Sequence, residues 1–359
     1  MKSPLTSSTN IEILYQQQTL PLFQNKVYNN AEQAINAETA NVVLAQCLDS
    51  GFIFSGEFDI DRLNYDENYQ NEQSNSAFFQ AHLSEVIQLL QKHNTLGGKV
   101  LEIGCGKGFF MDMLKEQGVD ISGIDPTYEG DSELIIKDYY SKHYFYLNAD
   151  LIILRHTLEH IPDPLGFVQM IAESNGYKGK IYIEIPTFEW ISEHAAIEDV
   201  FYEHCNYFTK NTAHLLFDDA IIEHTFNGQY LSILADLNAV KKHVVEVQPI
   251  EKFNLSFDQT LERYQNLLKE HPNVAIWGAG AKGSTFLNIL DKDKSLVKAV
   301  IDINPKKQHK FIGGTGHPII PPSQINEFGI QHILIMNPNY SSEIKRMVND
   351  ENITFSFLI

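Results

Sequence analysis

Lys99 to Phe110, K-V-L-E-I-G-C-G-K-G-F-F, constrains this chain more than any other stretch. Val100, Leu101 and Ile103 make an apolar run of the length of a buried parallel strand. Gly104, Gly106 and Gly108 follow at alternate positions, and Phe109 to Glu116 then reads as a helix. Strand, glycine turn and helix let a nucleotide-like ligand lie against backbone, because glycine accepts positive φ and has no Cβ to hold the ligand away. A dinucleotide fold shows G-x-G-x-x-G at this place. Here the spacing is E-x-G-x-G-x-G, with Glu102 inside the strand, where an acid can pair with a cationic group such as the amino group of a bound amino acid. The plainer alternative is a tight βα turn without a ligand.

The flanking elements extend this unit. Residues 78 to 94 have apolar positions at helical spacing and lead into the glycine-rich strand. Val119 to Ile124 is a second strand ending in Asp125, about 21 residues beyond Gly104, the usual place for a carboxylate that accepts from ribose hydroxyls. Asp138 follows Leu134–Lys137 and can approach an adenine amino group. Ala149 to Leu154 is a further strand, running into Arg155-His156-Thr157-Leu158-Glu159-His160, so two His and a Glu stand where ligands of open α/β sheets bind. A helix over Thr157–Ile161 would put His156 and His160 one turn apart; a polar wall is favoured over a metal pair, and no metal is expected. Gly179 to Ile185 is the fifth strand, followed by Phe201-Tyr202-Glu203-His204, a helical stretch over residues 211 to 219, and a hairpin around Asn227-Gly228.

Before this unit, residues 1 to 77 are polar and broken. Tyr65, Tyr69 and Asn71 lie in a segment rich in amides that reads either as a solvated loop or as a lid facing a polar substrate. After it, residues 254 to 271 form an amphipathic helix closed by Pro272. A second strand–glycine turn–helix begins at Val274, with Gly278, Gly280 and Gly283 spaced G-x-G-x-x-G and Asp302 about 24 residues on. By motif alone that is arguable as an NAD site. Lys282, Lys306, Lys307 and Lys310 give a basic rim that suits phosphate groups.

A net charge of −19 argues against a nucleic-acid partner, which needs a basic face. No run approaches the ~18 apolar residues of a membrane span, and the first residues lack a signal-peptide core. A cytoplasmic protein, monomeric or homodimeric and without a membrane partner, is therefore expected. Three cysteines, Cys47, Cys105 and Cys205, form no C-x-x-C pair.

The E-x-G-x-G-x-G stretch resembles motif I of class I S-adenosylmethionine (AdoMet) methyltransferases. Over nearly its whole length the chain resembles the three-domain sugar C-methyltransferases of nucleotide-linked deoxysugar biosynthesis. Leu158-Glu-His160-Ile161-Pro162 is similar to their post-strand His motif and Phe201-Tyr202-Glu203-His204 to their Y-x-E-H motif. Gly278-Ala-Gly-Ala-Lys282-Gly283, with Asp302 and Pro305-Lys-Lys-Gln308, is similar to their C-terminal pattern.

The resemblance implies an α/β fold: a class I AdoMet methyltransferase domain over residues 78–250, a small substrate domain over 1–77, and a Rossmann-like domain over 251–359. It implies AdoMet as cofactor, held by Glu102, Gly104, Gly106, Gly108, Asp125, Asp138 and His156. It implies a nucleotide-sugar substrate met by Tyr65, Tyr69, Asn71, Lys282 and Lys307. C-methylation beside a ketone needs a base, an oxyanion donor and an aligned methyl group. His204 is the expected base, Glu203 orients it or binds a sugar hydroxyl, and His160 and Tyr202 are donors to the oxyanion.

The family's N-terminal domain holds zinc through four cysteines. Here only Cys47 remains, with Ser50 at its C-x-x-C partner's place, so no structural zinc is expected. The tyrosine that opens Y-x-E-H is Phe201 here. Rival readings are a sugar O- or N-methyltransferase, an NAD-dependent sugar oxidoreductase, and a non-catalytic sugar-nucleotide binder.

Overall fold

The computed structural model describes residues 1–66, 68–244 and 250–358. Its centre is a seven-stranded sheet. Lys99–Ile103, Asp120–Ile124, Ile135–Ile136, Leu151–Arg155 and Lys180–Pro186 run parallel, and Tyr230–Asp236 inserts antiparallel between Lys180–Pro186 and Ile221–Thr225. Numbered along the chain, the spatial order is 3-2-1-4-5-7-6.

The strands are buried on both faces, which is why they read as continuous apolar runs rather than alternating ones. Alternate residues still divide between two cores. Val100, Leu151, Ile153 and Tyr182 meet Leu83, Val86, Ile87 and Leu90 of the Ala77–Lys92 helix. Leu101, Ile103, Ile152, Leu154 and Ile183 meet Val168, Ile171 and Ala172 of the Pro164–Ser174 helix. The Ser76 hydroxyl caps the first of these helices by accepting from the Phe79 N–H at 3.2 Å. Glu343, far away in sequence, accepts from the same Ser76 hydroxyl at 2.6 Å and from the Ala77 N–H at 3.0 Å. A carboxylate at a helix N-terminus is favoured by the helix dipole, and this one ties the C-terminal segment to the central sheet.

A second, fully parallel sheet has the order Ile319–Ile320, Val297–Ile301, Val274–Trp277, His332–Ile335, Thr354–Phe357. The N-terminal residues build a third, antiparallel sheet from Ile11–Pro21, Thr39–Cys47 and Ile53–Ser55. Its last strand is Asn206–Tyr207, which closely follows His204. Val27–Tyr28 pairs with Phe311–Ile312. Two of the sheets thus draw strands from across the sequence boundary near residue 77, and the N-terminal segment is clamped between the other two.

Ser3 and Thr6 meet Cys47 and Ser50 at the base of the N-terminal sheet. The Thr6 hydroxyl lies 3.5 Å from Cys47 Sγ. Burial opposes ionisation of this thiol, but the hydroxyls of Ser50, Thr6 and Ser3 and the Asp49 backbone outweigh it and lower its pKa. Ser50, at the C-x-x-C partner's place, thus hydrogen-bonds the Cys47 thiol.

Several local expectations shift. The 254–271 helix is observed over Asp258–Glu270, and the 211–219 helix over Lys210–Ala213 only. Leu158–His160 is a single 3₁₀ turn, so His156 and His160 do not sit one α-helical turn apart. Among the described residues no helix is long and apolar enough to cross a membrane.

Candidate active site

In an open α/β sheet, ligands bind where strand order reverses, beyond the carboxyl ends of the strands. The central sheet reverses between Lys99–Ile103 and Leu151–Arg155, and the C-terminal sheet between Val274–Trp277 and His332–Ile335. Both crevices open onto one cavity of about 600 Å³. Its wall includes Glu102, Gly104, Gly106, Asp125, Asp138, His156, His160, Glu203 and His204 from the centre, Tyr65, Tyr69 and Asn71 from the N-terminal segment, and Lys282 and Lys307 from the C-terminal one.

The glycine turn takes positive φ at Gly104, Gly106 and Gly108. A Cβ on Gly104 would stand 2.2 Å from the Thr157 hydroxyl, so packing alone explains that glycine. A Cβ on Gly106 would meet no protein atom within 4 Å; the space above it is open to a ligand. Gly108 departs from its expected role: it is the N-cap residue of the Phe109–Glu116 helix and lies off this cavity. Asp125 turns back on the loop, accepting from the Gly106 N–H at 2.7 Å and from the Thr127 N–H and hydroxyl at 2.7 Å each. Asp138, at the cavity mouth, accepts from the Tyr144 hydroxyl at 2.5 Å.

Glu102 is 2% exposed, and its Oε2 has no hydrogen-bond partner among the described residues. Burial pushes its carboxyl up to about 7, with Arg155 pulling the other way. A buried carboxyl in this state lacks a cation. The amino group of AdoMet supplies one, and the open face of Gly106 supplies room. The residues present therefore fit that cofactor.

Below this floor lies a charged network that sequence reasoning misses. Glu184, fully buried in its strand, accepts from Arg155 Nε and a terminal guanidinium nitrogen at 3.1 and 2.8 Å and pairs with His82 Nε2 at 2.8 Å. Burial opposes its charge, yet Arg155, His156 and His82 hold it well below the usual carboxylate range. His156, at φ +49°, has Nδ1 3.6 Å from Glu159 and Nε2 3.4 Å from Glu184. Burial disfavours its charge too, but the two carboxylates outweigh it and raise the imidazole to about 8. A Glu inside the apolar run Lys180–Pro186 is the available signal, since an unpaired charge there is too costly to keep.

The reaction wall is built by the 3₁₀ turn and the strand that follows His204. The His160 Nδ1–H donates to the Glu203 carbonyl at 2.8 Å, which fixes the tautomer and leaves Nε2 free to act. The His160 and His204 rings lie 5.0 Å apart, and Phe201 packs 4.1 Å from His204. Burial, with His160, His156 and Lys282 nearby, holds the His204 imidazole well below its ordinary value. It is therefore neutral near pH 7.

Two expectations are corrected here. Tyr202 is fully buried away from the cavity, in the core beside Phe188 and Tyr207; its hydroxyl accepts from the Asp59 N–H at 2.9 Å, and it offers no oxyanion donor. Phe201, which does line the cavity, has no hydroxyl to replace it. Glu203 does not orient His204 through its carboxylate. That group accepts from the Gln24 N–H at 2.7 Å and faces Tyr65 and Tyr69. Tyr65 and Tyr69 pack edge to face at 4.7 Å and line the cavity, while Asn71, also on its wall, is exposed.

On the C-terminal side, Asp302 accepts from the Ala279 N–H at 2.8 Å. Lys307, 4% exposed, donates to the Ala279 carbonyl at 2.9 Å and to Asn25 at 3.3 Å. Lys282 pairs with Asp199. The second glycine loop is thus braced by its own neighbours while its open side faces the shared cavity.

Residues 76–220 match the family described as a methyltransferase domain, and residues 232–354 the family described as the C-methyltransferase C-terminal domain. The chain thus carries an AdoMet-dependent methyltransferase domain followed by a C-methyltransferase C-terminal domain. It is 21% identical over 319 residues to the C-methyltransferase NovU of Streptomyces niveus, covering 77% of this chain and 75% of that one. It is 33% identical over 118 residues to a ubiquinone biosynthesis O-methyltransferase of Actinobacillus pleuropneumoniae, spanning half of that protein and 26% of this chain. A solved AdoMet-dependent methyltransferase of Archaeoglobus fulgidus aligns over 45% of this chain and 99% of its own, at 17% identity and a TM-score of 0.32. The second glycine motif lies within the matched C-methyltransferase segment, and the NAD reading has no separate support.

Proposed function

We propose that this enzyme methylates a carbon beside the ketone of a nucleotide-linked deoxysugar, with His204 as the base. The observation that carries the proposal is the His204 ring 5.0 Å from that of His160, on the same cavity as the glycine loop. AdoMet supplies an electrophilic methyl group when bound.

His204 takes the α-proton onto its free ring nitrogen, and the electron pair left behind spreads from carbon to the ketone oxygen. His160, its Nδ1–H already committed to the Glu203 carbonyl, meets that oxygen with Nε2–H when protonated. Glu102 and the Gly104–Gly106 turn hold the cofactor, Asp125 stiffens the turn, and Asp138 stands at its adenine end. Tyr65, Tyr69, Asn71 and the Glu203 carboxylate make a polar sugar wall. Lys282 and Lys307 are the cations available to a diphosphate. In this division residues 1–77 cover the substrate, 78–250 hold AdoMet and 251–359 hold the nucleotide. The likeness to NovU supports a carbon acceptor. The ubiquinone biosynthesis O-methyltransferases favour a hydroxyl acceptor, but they match only 26% of this chain.

The test is His204→Asn with a nucleoside-diphosphate 4-keto-6-deoxysugar and AdoMet. Loss of product by about 10²-fold or more with AdoMet affinity intact is expected, in the range of general-base effects. Full turnover in the variant would remove the assignment.

A further inference from the structure

One carboxyl group on the reaction wall has no role in the scheme above. Glu159 is 2% exposed, yet its Oε2 has no hydrogen-bond partner among the described residues. One of its carboxylate oxygens and one ring nitrogen each of His160 and His204 all lie within 4.8 Å of one another. Its backbone carbonyl accepts from the Cys205 N–H at 2.9 Å, which ties the residue after His204 to the 3₁₀ turn. The turn therefore carries the carboxylate and aims it at both histidines from one side.

We propose that Glu159 is a positioning residue for the His160–His204 pair, holding the two rings and stabilising the positive charge that proton abstraction places on them. The proposal rests on the reading of His204 as base.

The chemistry follows from charge. When the substrate C–H bond breaks, the proton moves to His204, the electron pair remains on the substrate, and an imidazolium appears in a buried site. The charged or titratable groups facing His204 include His160, His156 and Lys282, all of which raise the cost of that new charge. Glu159 is a carboxylate that opposes them. The Glu203 carboxylate, which accepts from the Gln24 N–H through one oxygen, is also felt by His160 and adds to this field, but it is unchanged in Glu159 variants. In the resting enzyme Glu159 also lies 3.6 Å from His156 Nδ1. His156 thus gives the carboxylate a neighbouring ring partner before any proton reaches His204. Hydrogen bonding and charge at such separations act through a low local dielectric and are correspondingly strong.

The experiment is an NMR titration of ¹⁵N-histidine-labelled full-length protein, comparing wild type, Glu159→Gln and Glu159→Asp. Signals are assigned with His160→Asn and His204→Asn, and AdoMet affinity and melting temperature serve as controls. The first protonation of the histidine pair should fall in Glu159→Gln by about one pH unit, a tenfold weaker proton affinity. It should be largely restored in Glu159→Asp, with AdoMet affinity equal in all three. An unchanged titration in a folded, AdoMet-binding Glu159→Gln protein would show a purely structural carboxylate and overturn the proposal. So would one equivalent of a divalent metal in the purified wild type that is lost in the variant, because Glu159 would then be a ligand. If the titration shifts as expected but His204→Asn keeps full turnover, the base assignment fails and the electrostatic coupling stands.

Discussion

Glu102 is buried with its Oε2 unpartnered among the described residues. Its carboxyl, raised by burial to about 7, is largely protonated at pH 6 and ionised at pH 8. Binding an ammonium group requires the carboxylate, so AdoMet affinity should strengthen about fivefold from pH 6 to pH 7 and level off by pH 8, where the ligand's own α-amino group loses its proton. Glu102→Gln should weaken binding at pH 8 by about 2 kcal/mol and flatten the pH dependence. Calorimetry at three pH values checks both, and a pH-independent wild type would place the amino group elsewhere. Residue identities are legible where a motif fixes them: Glu102, Gly106, His160 and His204 all reach the cavity. Tyr202 escapes such reasoning because adjacent residues in an irregular stretch give no period from which to say which one faces inward. Glu184, and the pairing of Glu159 with His204, are hidden for a related reason, since the partners His204, His82 and Arg155 are distant or unpatterned in sequence.

At the level of elements, the strand–turn–helix at Lys99–Glu116 is readable to the residue at both ends of its helix. The hairpin around Asn227-Gly228 forms too, but residues 226–229 separate the paired Thr225 and Tyr230, so the second strand begins one residue later than expected. The 211–219 pattern overextends its helix, because the apolar Leu215–Phe217 run is buried by packing rather than by helical turns. The glycine turn yields a separable prediction. Gly106 has φ +56°, and a methyl group there would meet no protein atom within 4 Å, so Gly106→Ala meets backbone strain but no clash. It should stay folded, lose about 1 kcal/mol of stability, and bind AdoMet at least tenfold more weakly. A thermal melt paired with calorimetry reads the two effects separately; undiminished affinity would mean that the ligand does not approach this backbone.

Across the whole molecule, the feature that matters is that two sheets turn their reversal points toward one cavity while the third braces the gap. Each glycine motif can be read from sequence, but not that they share a space, because pairing of Val27–Tyr28 with Phe311–Ile312 and of Asn206–Tyr207 with Ile53–Phe54 leaves no local trace. This arrangement suits an enzyme that must hold a methyl donor at one end and a long, anionic acceptor at the other. The most direct test supplies ¹³C-methyl AdoMet and a nucleoside-diphosphate 4-keto-6-deoxysugar to the full-length enzyme and follows the label by carbon NMR. The account predicts that the methyl signal appears at the position of a methyl bonded to carbon, coupled to a sugar ring carbon. A methyl signal shifted downfield to that of an O-methyl group would contradict it.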